Sequence, residues 1–163
     1  MKTKGFTLLE LLVVVLIIAI LASIGVPWYM RAYRRSISQE MLATSKAFQD
    51  SIIRYKNEKG VMPSKFSDLD VTNADAQPTS AFPEAQDAIK IKNFYYYFFP
   101  TRESVFSSYG DPSSQDYFGF YIEKNNIYCF GLASSQSTQD YCETTMGFEP
   151  YQSSGLIAYY KKP

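Results

Sequence analysis

The chain has 163 residues, with 16 Lys and Arg against 16 Asp and Glu, two cysteines and no histidine. Balanced charge gives no support to nucleic-acid binding by bulk electrostatics, and the lack of histidine removes the commonest general base and metal ligand. Abundant Ser and Thr without such a base form no hydrolytic constellation, so the composition argues against an enzyme and calls for no cofactor.

The first five residues are short and basic, with Lys2 and Lys4. Behind them, residues 11–22 contain no polar side chain, and between residues 6 and 26 the polar ones are Thr7, Glu10 and Ser23. This run is long enough to cross a hydrocarbon core of about 30 Å as a helix. It is too long for the apolar region of a secretory signal peptide, and no small-x-small site closes it before Pro27. Glu10 lies inside the run, where a lone carboxylate is costly and usually functional. A buried charge needs a partner, and the run itself offers no cation. The plainer reading is a signal anchor that tolerates an acid near the membrane interface.

The leader Met1-Lys2-Thr3-Lys4-Gly5, the segment Phe6-Thr7-Leu8-Leu9-Glu10 and the run ending in Gly25-Val26-Pro27 together resemble the N-terminus of type IV pilins and type II secretion pseudopilins. Gly5, Phe6, Glu10 and Pro27 fall on that family's pattern. The resemblance implies that a prepilin peptidase cuts between Gly5 and Phe6 on the cytoplasmic side, and that Phe6 is then N-methylated. It implies a single-pass protein of the inner (cytoplasmic) membrane, with its head outside the cytoplasm. An inner-membrane assembly platform would then build it into a helical homopolymer, an extracellular or periplasmic filament. In that filament the N-terminal helices form the core, and Glu10 of one subunit neutralises the Phe6 ammonium of a neighbour. Arg31, Arg34 and Arg35 beyond the run, set against Lys2, Lys4 and the amino terminus, give a near tie or favour the reverse orientation by the positive-inside rule. The need for the peptidase to reach Gly5 decides the orientation. A major type IV pilus subunit is the first expectation. A type II secretion pseudopilin and a minor or competence pilin are the alternatives within the family. A non-polymerising, membrane-anchored binding domain is the alternative outside it.

Residues 6–59 are expected to form one long helix, with 6–27 as the membrane or filament-core half and 28–59 as an amphipathic half. Gly25 and Pro27 predict a kink, because proline removes a backbone donor and crowds the carbonyl four residues back. Beyond them, Met30, Tyr33, Ile37, Met41, Phe48, Ile52 and Tyr55 recur at helical spacing, with Ser45 in the one gap. That stripe reads as the packing face for a head over residues 60–163. Asn57-Glu58-Lys59-Gly60 supplies the helix stop.

In the head, residues 68–83 read as a surface loop and residues 84–89 as a short helical turn. Residues 92–99, containing Phe94-Tyr95-Tyr96-Tyr97-Phe98-Phe99, are a strand by aromatic content. Residues 100–115 read as a polar loop. Residues 117–123 and 127–133 flank Lys124-Asn125-Asn126, a hairpin signal, and residues 156–160 make a last strand. The expected fold is α+β and pilin-like, a long helix packed on a four-stranded antiparallel sheet.

Cys129 and Cys142, behind a membrane segment, suggest one disulfide in an oxidising space, the other reading being two buried thiols. The Cys-bounded loop resembles the disulfide region of type IVa pilins. Two thiols without histidine make a poor metal site, and the spacing of Asp111, Asp116 and Glu123 matches no calcium loop, so no metal is expected. The aromatic stretches read as alternating sheet faces, one buried on the helix, rather than as an adhesive or electron-conducting surface. Support for DNA as a partner is limited to Lys90, Lys92 and the tail lysines.

Overall fold

The computed structural model describes residues 6–71, 75–79, 85–110, 117–124 and 126–163. The chain divides into two compact units, Met1–Ser36 and Ile37–Pro163. Helix α1, Leu8–Lys59, is continuous through Gly25 and Pro27 and supplies residues to both. It stops where Gly60 takes a left-handed φ of 72° and its N–H bonds the Lys56 carbonyl at 2.8 Å, the usual solution for the unpaired carbonyls of a helix end.

In the unit Met1–Ser36 every side chain of residues 6–33 is exposed. An 18-residue window of this helix reaches a mean hydropathy of 2.9, with none of it buried. The segment is long and apolar enough to cross a membrane. Met30 and Tyr33, placed on the packing stripe by their spacing, belong to this exposed set.

In the unit Ile37–Pro163 the second half of α1 lies on an antiparallel sheet. The strands are β1 (Gln77–Pro78), β2 (Asp87–Ile91), β3 (Phe94–Phe99), β4 (Ser104–Tyr109), β5 (Phe118–Glu123), β6 (Asn126–Leu132), β7 (Glu149–Ser154) and β8 (Ile157–Lys161). A short helix α2, Gln136–Asp140, and a wider turn, Tyr141–Thr145, follow β6. The sheet order is β1-β2-β3-β4-β5-β6-β8-β7.

Alternation sends every second side chain to one face. The cross-strand partners Ile89, Tyr96, Ser107, Phe120, Cys129 and Tyr160 form one continuous row on the helix side. Against it α1 buries Met41, Ser45, Phe48 and Ile52 at helical spacing. The Phe48 ring sits 4.8 Å from Phe66 and 5.4 Å from Tyr96. Small polar residues bring the two elements together at the centre of the contact. Ser45 Oγ donates to the Met41 carbonyl at 2.7 Å and lies 2.8 Å from Ser107 Oγ, both residues fully buried. Nearer the helix end, Gln49 Nε2 donates to the Glu103 carbonyl at 2.8 Å, and Lys56 pairs with the Glu103 carboxylate.

The described sheet has eight strands rather than the expected four. The expectation followed aromatic and β-branched content, and that signal is weak in the added strands. Ser104-Val105-Phe106-Ser107-Ser108-Tyr109 reads as polar, yet it is a central strand whose Ser104, Ser107 and Ser108 are buried. Serine there leaves room for the helix and for neighbouring rings. Asp87–Ile91 is a strand where a helical turn was expected, because Asp87 is committed to the Phe66 N–H at 2.6 Å and Ile89 and Ile91 enter the core. Glu149–Ser154 is exposed along its whole length and closes the far edge by pairing with β8. The hairpin joining β5 to β6 falls where Lys124-Asn125-Asn126 indicates. Asp111 and Asp116, and parts of the expected loops, lie outside the described residues.

The face away from the helix is also aromatic. Phe106 and Phe130 stack with centroids 4.2 Å apart, and Tyr117 lies 5.7 Å from Phe130. Gly119 makes this layer possible: a Cβ there would stand 2.3 Å from the Phe130 ring and 2.0 Å from the Ser107 carbonyl oxygen. Cys129 of β6 is bonded to Cys142 across 13 residues, and both are fully buried. A loop of that length stabilises the fold by roughly 3 kcal/mol in the chain-entropy account.

Two measurements test this packing. Gly119→Ala overfills the strand and is expected to cost roughly 1–3 kcal/mol, seen as a fall of several degrees in the thermal unfolding of the sheet signal. The Ser51 hydroxyl and the Arg54 guanidinium both engage Asp70, Arg54 Nη2 standing 2.9 Å from each carboxylate oxygen. Arg54, then Ser51, hold this carboxyl below the ordinary aspartate value of 3.8. A lowered folded value contributes stability that is present above 3.8 and lost as pH falls through the folded value. Asp70→Asn should therefore flatten the acid limb of the melting temperature below about pH 4 and leave the neutral limb unchanged in slope.

Candidate functional site

The N-terminal segment carries the chemistry of the site. Phe6 precedes α1 and is 78% exposed, the segment's first described side chain. Thr7 stands at the position before the helix, with Leu8, Leu9 and Glu10 as its first turn. The N-terminal turn of any helix leaves backbone N–H groups without partners. Here Glu10 Oε2 accepts from the Thr7 N–H at 2.9 Å and from the Thr7 hydroxyl at 2.8 Å. The Glu10 N–H in turn donates to Thr7 Oγ1 at 3.3 Å. This is a capping box, with the two residues satisfying each other's backbone donors. The carboxylate also faces the positive end of the helix dipole.

Glu10 therefore has a partner within its own chain, although no cation is present in the run. Both of its accepted bonds fall on Oε2. The spacing Thr7-Leu8-Leu9-Glu10 holds the signal for this box, and reading the run as a membrane span alone passes over it.

The remaining site residues fall as follows. Gly5 lies outside the described residues. Gly25 and Pro27 sit inside α1, and nothing stands within 4 Å of where a Gly25 side chain would begin. Two residues earlier, the Ser23 hydroxyl donates to the Ile20 carbonyl at 2.7 Å. Phe6, Glu10, Gly25 and Pro27 belong to the unit Met1–Ser36, while the bonded pair Cys129 and Cys142 belongs to Ile37–Pro163. Among the described residues no three His, Cys, Asp or Glu side chains gather as a metal site. Lys92 pairs with Glu40, and Lys90 lies over the Tyr95 ring at 5.2 Å.

Comparison with known proteins bears on the same segment. Residues 1–26 match the family described as the prokaryotic N-terminal methylation motif. Over 61 residues the chain is 39% identical to fimbrial protein EcpC of Eikenella corrodens, covering 37% of this chain and 40% of that protein. Over 51 residues it is 43% identical to prepilin peptidase-dependent protein D of Escherichia coli (strain K12), covering 31% of this chain and 35% of that protein. The chain thus spans less than half the length of these curated relatives. No solved structure matches it. With its capped first turn and uncovered apolar helix, the chain carries a prokaryotic N-terminal methylation motif and, over part of its length, resembles fimbrial and prepilin peptidase-dependent proteins.

Proposed function

We propose that the chain is a structural, non-enzymatic subunit of a type IV pilus-like filament. The observation that carries this reading is a methylation motif over residues 1–26 on a helix whose side chains at residues 6–33 are all exposed. Apolar side chains on every side of a helix call for surroundings that are apolar on every side, as in a membrane or a bundle of like helices. Residues 1–5 are the leader, removed by a prepilin peptidase between Gly5 and Phe6. Cleavage turns the Phe6 nitrogen into an ammonium, which is then N-methylated. Residues 6–27 span the inner membrane before assembly and form the filament core after it. Pro27 and Gly25 weaken the helix beside the core, since proline leaves the Ser23 carbonyl without its helical bond. Residues 28–59 carry the head, residues 60–163, outside the cytoplasm.

Glu10 is the assembly residue. Oε2 is held by Thr7, which fixes the carboxylate in orientation. Oε1 has no partner among the described residues and can accept from the Phe6 ammonium of a neighbouring subunit. A charge-assisted bond of this kind is strong in an apolar core, and an unpaired charge there is costly. One subunit therefore docks in register on the next. The fimbrial name of one relative favours a pilus over a secretion pseudopilus. Lys92 is committed to Glu40 and Lys161 lies over Tyr151, which engages two of the lysines that a DNA partner would call on.

Intact mass and N-terminal sequencing of the membrane-extracted protein test the processing. The expected chain begins at N-methyl-Phe6. A chain that still begins at Met1, in cells with an active prepilin peptidase, would overturn the reading in favour of a plain membrane anchor. Glu10→Ala should leave cleavage intact and abolish filaments recovered by shearing, whereas Glu10→Asp should recover some of them. Unchanged filament yield in Glu10→Ala would remove Glu10 from assembly.

A further inference from the structure

The sheet face away from α1 holds a cleft of about 540 Å³ within the unit Ile37–Pro163. This volume falls within the range of small-ligand sites, about 300–1,000 Å³. Its floor is a cross-strand row, Phe106, Tyr121 and Tyr128, on β4, β5 and β6. Tyr121 and Tyr128 have centroids 5.9 Å apart. Tyr159 of β8 and Tyr151 of β7 supply the walls.

Tyr151 owes its place to an irregularity in the edge strand. Pro150 pairs with Tyr160 and Gln152 with Tyr159, so Tyr151 is the extra residue of a β-bulge. A bulge re-aims the side chain it carries. The Tyr151 ring reaches Tyr128 at 5.4 Å and remains 57% exposed. An edge strand exposed along its whole length gains no core packing from this arrangement.

The rim is polar and balanced in charge. Arg102 and Glu123 both line the cleft, with Gln152 beside them. Lys161 lies 5.9 Å from the Tyr151 centroid and stands opposite Glu149 across the β7–β8 register. Each cation is thus matched by a carboxylate, and neither an anion nor a cation is favoured as ligand. Burial raises the Tyr159 hydroxyl above its ordinary value, the nearby Tyr121 adding to this and Arg102 opposing it. Burial likewise raises the Tyr128 hydroxyl, with Tyr151 and Glu123 adding to it. Both phenols stay protonated and remain hydrogen-bond donors near neutral pH.

Flat, half-buried rings with phenolic tips suit a ligand that is apolar on one face and hydroxylated at its edge. Arg102, Glu123 and Gln152 add planar donors and acceptors that bind vicinal hydroxyls in pairs. We infer that this cleft, bounded by the bulged Tyr151, is a binding site for a neutral saccharide. A sugar ring would lay its C–H face on Tyr128 or Tyr151 and turn its hydroxyls to Arg102, Glu123 and Gln152. The inference does not depend on filament assembly, since every group it uses lies within one head.

The test uses full-length protein in tetraethylene glycol monooctyl ether, a detergent with no sugar headgroup. Saturation-transfer NMR is recorded with lactose, maltose and N,N′-diacetylchitobiose as probes. Transfer to the ring protons of at least one disaccharide is expected. Tyr151→Ala should weaken it by about ten-fold at an unchanged melting temperature, because Tyr151 is exposed and outside the core. Tyr95→Ala, which removes a ring outside the cleft, should leave binding intact. Lack of transfer from all three disaccharides would overturn the inference, as would binding of undiminished affinity in Tyr151→Ala. Tetramethylammonium binding without disaccharide binding would reassign the cleft to a cationic ligand. Self-association lost in Tyr151→Ala, again without disaccharide binding, would reassign it to a second copy of this chain.

Discussion

The structure depends on an apolar helix surface that its own chain leaves uncovered. Leu8, Leu9, Leu21, Ile24 and Trp28 are among side chains more than 60% exposed in the first unit, and each such side chain costs roughly 1.5–3 kcal/mol when left in water rather than buried. Summed along the segment, that exceeds the whole stability of an ordinary domain. A surface of this kind suits lipid or other apolar helices as its surroundings. The unit Ile37–Pro163, by contrast, closes its own core around Met41, Phe48 and Ile52. The side-chain pattern changes within one continuous helix, from an exposed apolar run to a stripe buried against the sheet.

The same constraint explains Glu10. In water a carboxylate near a helix start needs no special arrangement. In an apolar phase it must be held by hydrogen bonds, and Thr7 provides two to a single oxygen. The box meets the local need without consuming the whole acceptor capacity of the group, since an ionised carboxylate offers about four lone-pair sites. A residue held in this way is preorganised for a further donor. For a side chain held in this way, the ordering cost of any further bond is reduced. Thr7 thus fixes one oxygen of Glu10 and leaves the other unengaged among the described residues.

The first unit is legible in the sequence because its signals are compositional and long: an unbroken apolar run, one acid, one proline. The second unit is less so. β3 and the β5–β6 hairpin follow from aromatic content and a turn triplet, and both are present. β4 escapes a hydrophobicity reading because three of its four buried positions, beside Val105, are Ser104, Ser107 and Ser108, set by the space beneath α1 and the neighbouring rings rather than by transfer energy. β7 escapes it for the opposite reason, since an edge strand with every residue exposed has no buried face to leave a period in the sequence. Of the site residues, Phe6 and Glu10 stand out by position in a motif. The Thr7 partner is equally visible as a four-residue spacing, but that spacing has meaning only once the helix is known to start at Leu8.

The two faces of the sheet differ in what their aromatic rings accomplish. On the helix side, Tyr96, Phe98 and Phe120 are buried and serve cohesion. On the other side a glycine is placed so that Phe130 can lie flat over the strand, and a bulge turns Tyr151 inward over Tyr128. Gly119 contributes no side chain and weakens strand propensity, and the bulge disrupts a ladder. Neither improves the core beneath α1, which is complete on the opposite face. Gly119 is offset by the buried Phe130 and Tyr117 layer it admits, but the bulge disrupts pairing in a fully exposed edge strand, as expected where a surface is shaped for a partner.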